Sequence, residues 1–323
     1  MIFKINKYFV FFVFLSLHSY SYSDYSEHPK AEYVIKTLIS EHDFDGPEVK
    51  LILSLAETDN QILKSMTNAA EKTKTWTKYR QGFVSSLRIE QGKNFLKKYS
   101  KVFDEVEKKY GVPRFIITAI LGVETNYGGY TGKVNVLNAL STLAFEHPRR
   151  SSFFTNELIE YIVLCREQSW EVNERFGSYA GAMGMSQFMP SNYRRLAVDG
   201  DSNGEIDLFH PVDAIHSIAN YLVHHGWKPN NPITSRVIVG KNYDESIITR
   251  GLKPNRKILE LKSAGFYPQE KISEAILATV IRFNDSDGDE FWLGYENFYV
   301  ISRYNPRAKY AMAVYLLSKE IEN

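Results

Sequence analysis

A single cysteine, Cys165, in 323 residues leaves no partner for an intramolecular disulfide and excludes a zinc centre built from a cysteine cluster. An excess of charge of one sign is also missing. With 39 basic against 38 acidic side chains, no global field marks nucleic acid or an anionic membrane as the partner, and specificity has to come from local sites. There is no internal repeat, low-complexity tract or long linker. Long hydrophobic runs are scarce too. The clearest, residues 8–17, is only ten residues long, too short to span a bilayer comfortably as a permanent helix. Lys4 and Lys7 precede it and Ser21 and Ser23 follow, so residues 1–23 read as a secretory signal peptide cut before Asp24. No cysteine follows the run to accept a lipid, so no stable membrane anchor is expected.

What is present is enough apolar material, 44% of residues, for at least one sizeable core and two or three lobes. From residue 31 to 110 the apolar spacing is helical, clearest where Phe95, Leu96, Tyr99, Val102, Phe103, Val106 and Tyr110 recur at three and four residues. Gly111, Val112 and Pro113 stop that helix and open another, expected to run to about Thr125. Helical patterns also occupy 136–145, 151–166 and 211–225, with a Gly-, Ser- and Met-rich loop over 177–190 between them. Beyond Trp227, the segments 234–239, 246–249, 258–262 and 298–302 are short and rich in β-branched or aromatic residues and predict strands, before 308–321 returns to helix.

Glu124 follows Ile117 and Ile120 by seven and four residues, which puts it on their apolar face at a helix end. Burial disfavours the ionised carboxylate, and that suits a general acid holding a proton near neutral pH. Gly128 and Gly129 let the backbone turn away and leave the side chain at a cleft edge. Taken alone, a Glu near a helix end is more often structural than catalytic. A hydrolysing glycosidase usually needs two carboxylates. No second acid lies between Glu124 and Glu146, although Glu157 and Glu160 could fold back.

Three words occur in order: Gly122-Val123-Glu124-Thr125-Asn126-Tyr127-Gly128, Gly181-Ala182-Met183-Gly184-Met185-Ser186-Gln187-Phe188-Met189-Pro190-Ser191, and Asn297-Phe298-Tyr299-Val300-Ile301-Ser302-Arg303-Tyr304-Asn305. With these the sequence resembles the family 3 lytic transglycosylases, the lytic murein transglycosylase B family, from roughly Tyr33 to the C-terminus. The resemblance implies a mainly α (α+β) protein, with a lysozyme-like catalytic core flanked by a helical lobe and a small β-containing lobe. The helical lobe would be 24–105 completed by 311–323, the core 106–231 completed by 297–310, and the β lobe 232–296. It implies peptidoglycan glycan strands as substrate, a periplasmic location, and room for other cell-wall enzymes as partners. The catalytic Glu falls on Glu124. Cleft residues fall on Tyr79, Arg149, Arg150, Ser178, Gln187, Phe188, Tyr221, Tyr304 and Asn305. Tyrosine rings suit sugar faces, amides suit sugar hydroxyl and N-acetyl groups, and arginines suit carboxylates.

Asp199, Asp201, Asn203, Gly204 and Glu205 have the spacing of an EF-hand loop at positions one, three, five, six and seven. Oxygen ligands at alternating positions wrap a hard cation, so Ca2+ is the expected structural ion, with no cofactor needed for the chemistry. Position twelve is His210, where the usual bidentate Glu is absent, and the resemblance puts the closing ligand on Asp213. Asp285, Asp287, Asp289 and Glu296 imitate the spacing but carry Glu290 at the glycine position, and read as a solvated loop. Two other functions compete with a transglycosylase: a lysozyme-like hydrolase with a hidden second carboxylate, and a non-catalytic wall- or calcium-binding module.

Overall fold

The computed structural model describes residues 24–67, 74–248, 251–285 and 288–323, so the expected signal peptide lies outside the described residues. The fold is organised around the helix Arg114–Thr125, which is apolar on every side: Ile116 and Ile120 are as buried as Ile117 and Leu121. A helix with no polar stripe is stable only inside a core. Ser86–Lys98, Ser100–Tyr110, Pro211–His224 and the final helix Ala308–Glu322 all pack against it. Gly111, at φ 64°, ends Ser100–Tyr110 in the left-handed conformation, and the Glu107 carboxylate accepts the Arg114 N–H at 2.7 Å at the start of the next helix. Beside this centre, Ser151–Glu167 lies against Val136–Glu146. Cys165 is buried on the longer of these two, and burial pushes its thiol up to about 11, as for a structural cysteine.

Among the described residues, two antiparallel sheets complete the fold. β1 (Val134–Asn135) pairs with β2 (Phe176–Gly177) in a two-stranded ladder. β3 (Thr234–Val239), β4 (Arg256–Lys257), β5 (Phe266–Pro268), β6 (Leu277–Phe283) and β7 (Glu290–Gly294) form a five-stranded sheet in the order β4-β6-β7-β3-β5. Alternation along β6 and β7 divides the sheet between two cores. Ala278, Val280 and Leu293 close a small core with Ile258, Leu261 and Phe266. Ile281, Phe283 and Trp292 face the main core, where Phe283 stacks on Trp76 of the helix Trp76–Phe83 at 4.3 Å.

Three expected strands are not strands. Residues 258–262 belong to the helix Ile258–Ser263, 298–302 to the helix Glu296–Tyr304, and 246–249 begins in the 3-10 turn Glu245–Ile247, with Thr249 outside the described residues. β-Propensity is a measure of fit to a half-buried pleated surface, and here packing decided otherwise. Phe298 and Ile301, three residues apart, enter the main core on one helical face. Asn297 is fully buried and anchors the same helix, accepting the Lys228 N–H and donating to the Lys228 and Asn231 carbonyls.

Candidate active site

Glu124 stands one residue from the end of the central helix and is half-buried where its helical neighbours are closed in. The chain leaves the helix through three successive left-handed residues, Asn126, Tyr127 and Gly128, of which the two non-glycines are costly. Local bonds hold that turn. Thr125 Oγ1 donates to the Met185 carbonyl at 3.0 Å and accepts the Gly128 N–H at 3.0 Å. Tyr127 Oη donates to the Arg88 carbonyl at 2.7 Å, and the Arg88 guanidinium donates to the Gly122 carbonyl. A Cβ on Gly122 would sit 2.6 Å from Tyr127 Oη, and one on Gly92 would meet the same oxygen at the same distance. The glycines in and near the first motif therefore make a slot for the tyrosine that bends the backbone away from Glu124.

The second motif forms a tight turn closed by paired bonds between Met183 and Phe188, with Gly184 at φ 72° and Gln187 at φ 50°. Gln187 Nε2 donates to the carbonyls of Thr131 and Gly184, which ties this turn to the loop after Glu124 and leaves the amide oxygen as the acceptor to offer a ligand. The third motif delivers Tyr304, whose hydroxyl donates to the Ser186 carbonyl at 2.6 Å. Phe188, Tyr221 and Tyr304 thus make one aromatic cluster, with ring centroids 4.7–5.9 Å apart. Tyr221 Oη donates to the Arg303 carbonyl, and its ring lies 4.3 Å from His225. Burial first, then the charge on His224, pushes His225 down to about 4, so the imidazole there is neutral.

The Glu124 carboxylate has a tyrosine on it that the sequence reading did not single out. Tyr310 Oη donates to Glu124 Oε1 at 2.6 Å, and the Tyr310 ring is stacked on Tyr304 at 6.4 Å and 13°. Burial, with the charge of Glu124 next, raises the phenol well above its ordinary value, so it stays a donor throughout the physiological range. The Glu124 charge also raises Tyr304 and Tyr221, in each case after burial. Among the described residues it is the one carboxylate whose charge bears on all three tyrosines. In sequence Tyr310 is one more aromatic residue on an amphipathic terminal helix, and nothing local distinguishes it.

The remaining expected cleft residues differ in placement. Tyr79 is buried, with its ring against Phe83 at 4.9 Å and Trp76 at 6.5 Å. Ser178 Oγ accepts the N–H groups of Ala180 and Ala182, shaping the loop ahead of the second motif. Arg150 lies over Phe153 and Phe154 and is depressed by burial first and by the charge of Arg307 second, which places it toward the segment after Asn305. Arg149 is exposed beside it, and Asn305 is half-buried directly after Tyr304. The two distant acids that could have supplied a second carboxylate are committed elsewhere: Glu157 accepts from Ser191 N and Oγ, and Glu160 from Arg194 at 2.6 Å.

The acidic loop is closed by its own hydrogen bonds. The Asp199 carboxylate accepts the N–H groups of Asn203 and Gly204, the Asn203 side chain accepts the Glu205 N–H, and Gly204 turns at φ 93°. Asp213, fully buried on the following helix, reaches back to accept from Gly200 N and Asp207 N at 2.8 Å each. Ligand atoms of Asp201, His210 and Asp213 lie within 4.8 Å of one another. In the second acidic segment Asp285 accepts the Thr77 N–H across the interface at 2.5 Å, so this loop docks on a helix where simple solvation was expected; Asp287 lies outside the described residues. No described helix is long and apolar enough to cross a membrane.

Residues 26–319 match the family model described as transglycosylase SLT domain. The chain is 36% identical over 307 residues to membrane-bound lytic murein transglycosylase B of Escherichia coli, covering 92% of this chain and 84% of that protein. It is similar in structure to the catenated lytic transglycosylase SltB1 of Pseudomonas aeruginosa, with 40% identity, a TM-score of 0.87, and 93% and 99% of the two chains covered. It is also similar to the Escherichia coli lytic transglycosylase Slt35 solved in complex with calcium, with 35% identity, a TM-score of 0.84, and 93% and 94% covered.

Proposed function

This chain belongs to the transglycosylase SLT domain family and is a peptidoglycan lytic transglycosylase, and on that premise we propose that Glu124 is its sole catalytic carboxylate, acting first as acid and then as base. The observation that carries this reading is the Glu124 carboxylate held by Tyr310 among three tyrosines, with Glu157 and Glu160 bonded elsewhere. Glu124 protonates the oxygen of the β-1,4 bond between N-acetylmuramic acid and N-acetylglucosamine, and that bond breaks. The substrate's own N-acetyl group helps to stabilise the positive charge developing at C1. The resulting carboxylate takes the proton of the muramic acid C6 hydroxyl, whose oxygen attacks C1 and closes a 1,6-anhydro ring. The proton lost in the first step is recovered in the second, so neither water nor a second carboxylate is consumed.

Gln187, Ser178, Tyr304 and Asn305 contact the sugars in this reading, Arg149 and Arg150 meet carboxylates of the strand, and Tyr79, Phe188 and Tyr221 hold the wall. The acidic loop suits a hard cation: Asp199, Asp201 and Asn203 supply side-chain oxygens at alternating positions, Glu205 its main-chain carbonyl at position seven, and Asp213 closes it from the helix that carries Tyr221. Calcium there would brace that helix and take no part in bond cleavage. The lobe boundaries expected from the sequence, and a periplasmic location after removal of residues 1–23, belong to the same proposal. Glu124→Gln tests the central claim by mass spectrometry of muropeptides released from purified peptidoglycan. Wild type gives anhydro ends and the variant loses about 10² to 10⁴ of the rate while staying folded. Near wild-type release by the variant refutes the assignment, and reducing ends from the wild type would mean hydrolysis.

A further inference from the structure

Two loops border Glu124 and Gln187, and each carries aromatic rings that the core does not use. The first leaves the central helix and holds Tyr130, 61% exposed, with its backbone N–H on the Thr125 carbonyl at 2.9 Å. The second leads into the second motif and holds Phe176, 50% exposed, and Tyr179, 37% exposed. The loops touch: a Cβ on Gly132 would collide with the Gly177 carbonyl group, and Val134 and Asn135 pair with Gly177 and Phe176. Gln187 Nε2 donates to the Thr131 carbonyl at 3.0 Å, which sets the residue after Tyr130 beside the amide that the site offers a ligand. The antiparallel register orders the rings along this rim. Gly132 lies against Gly177 and Ser178, so Tyr130 comes at the Tyr179 end and Phe176 at the far end, opposite Asn135. Gly177 faces inward, where a Cβ would collide with the Ala182 carbonyl oxygen, and alternation turns Phe176 and Ser178 the other way. Single exposed apolar side chains are ordinary on a protein surface. Here three rings share two touching loops at the edge of the site, while the other exposed aromatic residues, Tyr33, Phe153, Phe209 and Tyr267, stand on separate segments. Neither Tyr130 nor Phe176 belongs to a hydrophobic core among the described residues.

Resting on the reading of Glu124 as the acid that cuts a glycan strand, we propose that Tyr130, Tyr179 and Phe176 extend the cleft along the β1–β2 ladder and take sugars of the same strand beyond those that flank the cut bond. Continuity with the site identifies the occupant. A polymer held at Glu124 and Gln187 has further pyranose rings to place, and the rim begins one residue before the carbonyl that anchors Gln187. The three rings carry no charge, so they suit the C–H faces of sugars, whereas the carboxylates of stem peptides call for cations. Sugars held this far from the reacting bond are gripped equally before and during cleavage. The rim therefore raises affinity for long strands and leaves the chemical step as it is.

The test is the rate of anhydro-end release from peptide-free glycan strands, a tetrasaccharide against a dodecasaccharide, with peptide-bearing strands run alongside. Tyr130→Ala combined with Phe176→Ala is expected to raise KM for the dodecasaccharide by about 5- to 100-fold, the scale of two ring contacts, with kcat kept and the melting temperature unchanged. The tetrasaccharide, which does not reach the rim, should show no such rise. Tyr130→Phe with Phe176→Tyr keeps both rings and should keep the wild-type KM. An unchanged KM on the dodecasaccharide, an equal rise on both lengths, or a fall in kcat alone overturns the inference. A rise seen only on peptide-bearing strands overturns it too, by giving the rim to the stem peptide; each of these results leaves Glu124 standing as the acid. Reducing ends or no release from the wild type overturns that reading and this inference together.

Discussion

Tyr310→Phe removes one oxygen from the site and little else. The ring survives, so its stack on Tyr304 and its burial in the terminal helix are kept, while the 2.6 Å bond to Glu124 Oε1 is lost. Hydrogen bonds to charged groups contribute about 1.5–3 kcal/mol. If that bond holds the carboxylate in place for proton transfer, its loss appears in the barrier, and about 1.5–3 kcal/mol corresponds to a fall of roughly 10- to 150-fold in kcat. KM should move little, because Tyr310 grips the acid and not the strand. The assay is the initial rate of anhydromuropeptide release over a range of peptidoglycan concentrations, with thermal unfolding measured on the same preparation. A merely structural Tyr310 would lower the melting temperature and leave kcat intact below it. A folded variant with wild-type kcat refutes the reasoning, and so does one in which only KM rises.

Gly122→Ala would put a Cβ 2.6 Å from Tyr127 Oη, so about 1–3 kcal/mol of stability should be lost to overpacking, measured by denaturant unfolding; an unchanged midpoint would mean that the slot is looser than it looks. Glu157 is raised chiefly by burial, against the opposing bonds from Ser191. The folded state therefore holds its proton to a higher pH than the unfolded state does, and stability falls as pH rises from the ordinary carboxylate range through the raised value. Glu157→Gln should flatten that part of the melting-temperature profile, and an unaltered profile would remove Glu157 as its source. Asp199→Asn combined with Asp213→Asn should abolish the rise in melting temperature that calcium produces in wild type, a stabilisation of about 2.7 kcal/mol at 100 times the dissociation constant. Persistence of the rise in the double variant would place the calcium elsewhere.

Short-range information in the chain determined a good deal. The apolar spacing around Ile117 and Ile120, the Gly111–Pro113 junction and the alternating oxygens from Asp199 to Glu205 act within a turn or a loop, where each residue's own geometry dictates the result. The three motifs were legible as a family resemblance, and in the first two the structure shows a local reason for their glycines, since Gly122, Gly128 and Gly184 stand where a side chain would clash. What the tertiary structure decided has no local signature. Residues 258–262 and 298–302 carry strand-like side chains and became helices where they pack, the first against the small sheet and the second beside the final helix in the main core. Tyr310 lies 186 residues from Glu124 in sequence, and only the packing of the last helix on the central one brings its hydroxyl to the carboxylate. The same long-range packing placed His216 against Gly200 and turned Glu157 toward Ser191, since a contact across the core depends on the fold as a whole and on neither residue alone.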